Sequence, residues 1–228
     1  MARRKKNNNN QLLNQLSNLL AQMKVNSKPK AKKQVVPVGQ PGMPPSSNPR
    51  SRKGAIKGDG TMMRVSREEL MFTVTTDSKG WYGASVPINP LSAKDQFSWL
   101  AGLASSWERI VWNSLSFHWR SAVGTTADGS VAYGVDWESN NSMPKDRTVV
   151  TSLSPVADHP VWQTTQGKPM VCPKRLLQSR LQYLLTQGDV ADRGPGVFKV
   201  MVQGAAASKM IGEFWISYDV SMYGPRKA

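Results

Sequence analysis

One division limits what this chain can fold into more than any other feature. All eighteen Phe, Trp and Tyr lie after residue 60, beginning at Phe72, whereas residues 1–60 hold thirteen Lys and Arg against a single acid, Asp59. The first segment therefore carries +12 of the formal net charge of +15, and residues 61–228 carry the other +3. A stretch without aromatic rings and with dense like charge cannot bury enough apolar surface to offset the entropy of ordering its backbone. Residues 1–60 are accordingly expected to be a basic arm, largely disordered by itself. Residues 61–228 are expected to form one domain with its own core.

The arm reads in pieces. Arg3, Arg4, Lys5 and Lys6 open the chain beside four asparagines. In QLLNQLSNLLAQM, residues 11–23, Leu12, Leu13, Leu16, Leu19, Leu20 and Met23 form one face of a helix. A helix this short is marginal alone. Three settings are open for it: packing on copies of itself or another surface, folding against nucleic acid, or lying on a membrane. The last wants basic residues along the polar face, and the helix has none. Residues 24–34 follow as an extended polycation, with Lys24, Lys28, Lys30, Lys32 and Lys33 around Pro29. The plain alternative is a solvating tail or a nuclear address. The thirteen bases of the arm favour phosphate neutralisation, which releases condensed counterions and is independent of base sequence. Pro37, Pro41, Pro44, Pro45 and Pro49 then make a semi-rigid extended spacer, and Arg50, Arg52 and Lys53 form a second basic cluster at its end.

The remainder reads as strands with helical inserts. Strand candidates are LMFTVTT (70–76), YGASVPI (82–88), SLSFHWRSAV (114–123), SVAYGVDW (130–137), VWQTT (161–165), KPMVCP (168–173), GVFKVMVQG (196–204) and GEFWISYDVSMYG (212–224). In the final run Phe214, Ile216, Tyr218, Val220 and Met222 alternate with polar or outward residues, the clearest period of two in the chain. Residues 114–123 and 130–137, joined by TTADG, read as an antiparallel hairpin. Phe97, Leu100, Leu103, Ala104 and Trp107 fall on one face of a helix expected over 94–107, with Ser92 a cap candidate. Residues 143–153 admit a short helix opening at Met143-Pro144. Residues 174–185 have a helical period, with a strand reading still open. Many short strands, few helices and no βαβ rhythm point to an all-β, eight-stranded antiparallel jelly-roll sandwich. An immunoglobulin sandwich fits less well, given the early helix and the lack of a cysteine pair.

Chemistry-bearing motifs are sparse. Cys172 is the only cysteine, so neither an internal disulfide nor a Cys-rich zinc site is available, and it reads as a small buried thiol. No apolar run approaches the roughly 20 residues of a membrane span, and the charged start lacks a secretory core. A soluble intracellular protein is expected, with no membrane partner. His118 reads as a strand residue and His159 as a loop residue; no nucleophile elbow, phosphate-binding glycine loop or His-x-x-x-His is present, so no enzyme activity is expected. In YGVDWESNN, Asp136 and Glu138 stand two apart at a strand end, on one face if the strand continues. Paired carboxylates suit a hard cation such as Ca²⁺, with further ligands from carbonyls or a neighbouring subunit. A solvated loop rim with Trp137 tucked inward is the other reading. Asp189 and Asp192 are a weaker pair.

Three stretches, in order, carry a family resemblance: WLAGLASSWERIVWNSLSFHW (99–119), GSVAYGVDWES (129–139) and GEFWISYDVSMYGP (212–225). With a basic arm and a Pro-rich connector before them, the chain resembles the coat proteins of small icosahedral positive-strand RNA plant viruses, the sobemovirus, tombusvirus and luteovirus-like group. The resemblance spans about residues 64–225. It implies an eight-stranded shell domain that self-assembles with quasi-symmetry, arms that meet single-stranded genomic RNA, and residence in the virion and the host cytoplasm. It also implies Ca²⁺ between subunits, with Asp136 the ligand candidate; Glu138 departs from an aspartate often found slightly further along. With the closing strand near the end of the sequence, no protruding domain is expected. The alternative class is a non-viral RNA-binding protein, a chaperone or silencing suppressor, with a cationic tail; a carbohydrate-binding jelly roll is a third.

Overall fold

The computed structural model describes residues 55–138 and 141–226. These form ten strands: β1 (Ala55–Gly58), β2 (Met62–Thr75), β3 (Tyr82–Pro87), β4 (Trp107–Ser121), β5 (Ser130–Asp136), β6 (Val156–Pro160), β7 (Met170–Val171), β8 (Tyr183–Leu184), β9 (Val197–Gln203) and β10 (Met210–Pro225). Four short helices interrupt them: α1 (Ser98–Ala104), α2 (Arg147–Thr151), α3 (Lys174–Leu177) and α4 (Val190–Arg193). One sheet runs β1-β2-β10-β4-β7, with β8 also on β4; the other runs β3-β9-β5-β6. Every pairing is antiparallel. The chain passes from one sheet to the other between β2 and β3, β3 and β4, and β4 and β5, which is the jelly-roll path.

The inward faces supply the core. On β10, Phe214, Ile216, Tyr218, Val220 and Met222 are all buried, while Glu213, Trp215, Ser217 and Asp219 between them are half-exposed, as the alternation in sequence requires. Aromatic rings bridge the sheets. Phe117 of β4 stacks on Phe198 of β9 at 4.2 Å between centroids, and Tyr133 of β5 meets Phe214 of β10 edge-on at 5.0 Å. Such pairs each add about 0.5–1.5 kcal/mol beyond the area they bury. Trp119 fills the same core and satisfies its indole by donating to the Val161 carbonyl at 2.8 Å.

Several local expectations change. The hairpin of 114–123 with 130–137 does not form, because β4 pairs with β10, β7 and β8 while β5 pairs with β9 and β6 in the facing sheet. Both strands send residues into the same core, but from opposite sheets. The helix expected over 94–107 shrinks to α1. Asn89, not Ser92, organises its approach by accepting from the amides of Leu91 and Ser92, and Trp107 is drawn into β4 by pairing with Pro225 of β10. Residues 161–165 are not a strand; Thr165 instead clasps Trp119 of β4, its amide donating to the carbonyl and its hydroxyl accepting from the amide. The helix in 143–153 starts later, at Arg147, where Asp146 caps it by accepting from Val149 N at 3.1 Å. Residues 174–185 divide between α3 and β8. Strand pairing begins at β1, before the compositional division at 60. Asp59 accepts from the amides of Thr61 and Met62, and Gly60 sits at φ +87°, so the turn closes onto β2.

Candidate functional site

The twelve bases assigned to RNA, Arg3, Arg4, Lys5, Lys6, Lys24, Lys28, Lys30, Lys32, Lys33, Arg50, Arg52 and Lys53, lie outside the described residues, as do the leucine-faced helix and the proline spacer. Within the domain, the residues singled out from sequence are placed as follows. His118 is 3% exposed on β4, with Nε2 3.2 Å from Glu68 Oε1. His159 is buried on β6, its Nδ1 2.8 Å from the Pro160 carbonyl; burial, the main cause, pulls its pKa below the ordinary histidine value. Burial pushes the Cys172 thiol up to about 12, which leaves it unreactive as a nucleophile at neutral pH. Asp192 is ion-paired with Arg180, and Asp189 precedes α4 without capping it.

Asp136 and Glu138 meet through a backbone amide. Asp136 ends β5, and its Oδ2 lies 2.8 Å from Nζ of Lys199 on β9. Its Oδ1 accepts from the backbone amide of Glu138 at 3.0 Å, so Glu138 contributes its N–H rather than its carboxylate, which is exposed. Lys199 is 2% exposed. A divalent cation at Asp136 would stand against that ammonium, and among the described residues no group of three or more His, Cys, Asp or Glu is gathered to hold a metal. As this chain presents it, Asp136 offers a cation one carboxylate that already holds an ammonium, a poor match to Ca²⁺, which takes six to eight oxygens. In the sequence, the one signal for Lys199 is that it stands as a lone lysine within VFKVMVQ, a run buried from Val197 to Val202.

The outer face of the six-stranded sheet carries a second polar system. Arg120 pairs with Glu68 at 2.7 Å and lies over the Trp215 ring at 3.7 Å, while Trp215 donates to Glu213 at 2.9 Å. Arg64 makes a two-pronged pair with Asp219, at 2.9 and 2.7 Å, which also accepts from Asn113 at 3.1 Å. Arg64 and Asn113 together hold the Asp219 carboxyl below the usual range, with the Arg64 hydrogen bond the leading cause. Glu69 is 7% exposed. Burial raises its pKa, and the amide of Trp99, donating to Oε2 at 3.1 Å, offsets part of the rise. Apolar side chains also reach solvent, with Leu181 93% exposed and Met143 and Val171 more than half so.

This two-sheet jelly roll, with its crossing strand order and polar outer sheet, has the architecture of the viral coat S domain. The chain belongs to that family: the model for "Viral coat protein (S domain)" matches residues 31–228. The capsid protein of Artichoke mottled crinkle virus is 29% identical over 180 residues, covering 75% of this chain and 44% of that protein. That of Maize chlorotic mottle virus is 28% identical over 136 residues, 55% of each. The chain thus spans about half the length, or less, of these relatives. Among solved structures, Cucumber Leaf Spot Virus superposes with a TM-score of 0.67 at 20% identity, covering 85% of this chain and 61% of that one. Tobacco Necrosis Virus gives 0.64 at 16%, covering 76% and 88%. At these identities the superpositions speak for the fold.

Proposed function

We propose that this chain is a capsid protein that tiles with copies of itself into a closed icosahedral shell and packages single-stranded RNA through its basic arm. The observation that carries the reading is the S-domain match, which runs from within the arm's polycation through β10. It is supported by the capsid proteins among the relatives, and by exposed apolar side chains such as Leu181 that contact between copies would cover. The division of charge assigns the work. An arm at +12 neutralises phosphates, while a domain near neutrality lets copies approach each other. The virion, formed in the host cytoplasm, is the setting this implies.

The mechanism in the arm is counterion release. For single strands each neutralised phosphate contributes a slope of about −0.7 to log K against log salt, so full engagement of the twelve assigned bases gives about −8. Electron microscopy of the purified chain with RNA tests the whole reading. Uniform closed shells are the expected result. Monomers under every salt and RNA condition would overturn it in favour of a non-viral RNA-binding protein.

A further inference from the structure

The carboxylate at the end of β5 is built around a cation that the chain itself supplies. Lys199 leaves β9 on the side of the sheet opposite Phe198, Val200 and Val202, which belong to the main core. Met201, on the same side as Lys199, packs with Ala132 and Val150, so that side is covered too. Gly134 lies opposite Lys199 in the ladder, and a Cβ there would meet the Pro155 carbonyl oxygen at 2.9 Å and Leu153 Cβ at 3.0 Å. The segment after α2 is thus pressed onto the sheet above the lysine, and the Trp137 indole donates to the Ser154 carbonyl at the same edge. The ammonium meets its counter-charge at Asp136, 2.8 Å away.

The cavity beside this ladder pair is basic. Val197, the ladder partner of Asp136, borders a cavity of about 520 Å³ whose lining includes Lys94, Arg193 and Arg226. Among the described residues that line it there is no Asp or Glu. An ammonium offers three donors on a point charge and suits one carboxylate. Ca²⁺ needs several hard oxygens, and here it would lie within reach of a fixed positive charge.

We propose that Lys199 is a built-in counter-cation. It occupies the position at Asp136 that a metal shared between neighbouring subunits would otherwise take, and it joins β5 to β9 within one subunit. The carboxylate is then a structural anchor, and the integrity of this corner of the protein does not depend on divalent cations.

The inference concerns one subunit and goes beyond the capsid reading. The test is a pair of cryo-electron microscopy maps of wild-type shells, one after dialysis against a chelator and one in millimolar CaCl₂. The expected result is the Lys199–Asp136 contact in both, with no metal density at Asp136. Density about 2.3–2.6 Å from an Asp136 oxygen, with Lys199 swung away, overturns the proposal. Calcium bound per subunit, measured on wild type and on Asp136→Asn, gives a second readout: equal content supports the proposal, and loss of one ion per subunit defeats it. A chain that forms no shell defeats the capsid reading alone, and the same comparison then runs on crystals of the unassembled protein grown with and without calcium.

Discussion

Asp136→Asn removes the negative partner of a lysine that is 2% exposed and sits beneath the segment following α2. The Asn amide is nearly isosteric but offers no charge, so the ammonium is left buried and uncompensated. Breaking such a pair from one side costs about 3–5 kcal/mol, a large share of the roughly 5–15 kcal/mol that holds a domain together. With a urea dependence of roughly 2 kcal/mol per molar, the midpoint should fall by about 2 M. Lys199→Met removes the better-buried charge and leaves Asp136, whose side chain is 14% exposed, nearer to water, so its cost should be smaller. The double variant, with no charge left to compensate, should return to within about 1 kcal/mol of wild type. The assay is urea unfolding of the dissociated chain, followed by tryptophan fluorescence. A loss under about 1 kcal/mol for Asp136→Asn, or a double variant no more stable than Asp136→Asn alone, refutes the buried-pair reasoning.

Two further outcomes follow from the core and from its one buried carboxyl on β2. Phe198→Ala removes the ring that stacks on Phe117 at 4.2 Å and also meets Phe214, and should cost about 3–5 kcal/mol in the same urea assay; a loss under about 1 kcal/mol contradicts the inter-sheet packing. Glu69 has a raised pKa in the folded state, so its contribution to stability is fully present below the unfolded carboxyl's pKa of about 4.3 and is lost as pH rises through the folded value. Glu69→Gln, which keeps an acceptor for the Trp99 amide, should therefore gain on wild type between mildly acidic and neutral pH in thermal unfolding; a difference independent of pH contradicts the burial argument.

What could be read from the sequence follows from what each signal measures. The period of two in β10 reports burial on one face, and the structure buries that row. The same signal says nothing about which strand lies alongside, so residues 114–123 and 130–137, neighbours in sequence, read as a hairpin although they belong to opposite sheets. The first part of β2 carries little strand signal because Arg64, Ser66, Arg67 and Glu68 break the apolar pattern; its partners β1 and β10 order it by pairing. Helical period over-extended α1, since Trp107 satisfies a helical face and a strand edge equally well until β10 captures it. At Asp136 the carboxylate was visible, but its partner, far along the chain on β9, became legible only through the β5–β9 register. The arm remains a reading of composition, resting on charge and the absence of aromatic rings.

If the arm holds RNA and the jelly roll tiles without help, the two activities separate at a cut. Deleting residues 1–34 removes nine of the twelve assigned bases and leaves every described strand in place. The decisive quantity is the nucleic-acid content of shells formed by this shortened chain, from the ratio of absorbance at 260 and 280 nm on particles confirmed by electron microscopy. Closed shells with a protein-only ratio are expected. Shells that still carry a full complement of RNA would show that the grip on RNA lies elsewhere.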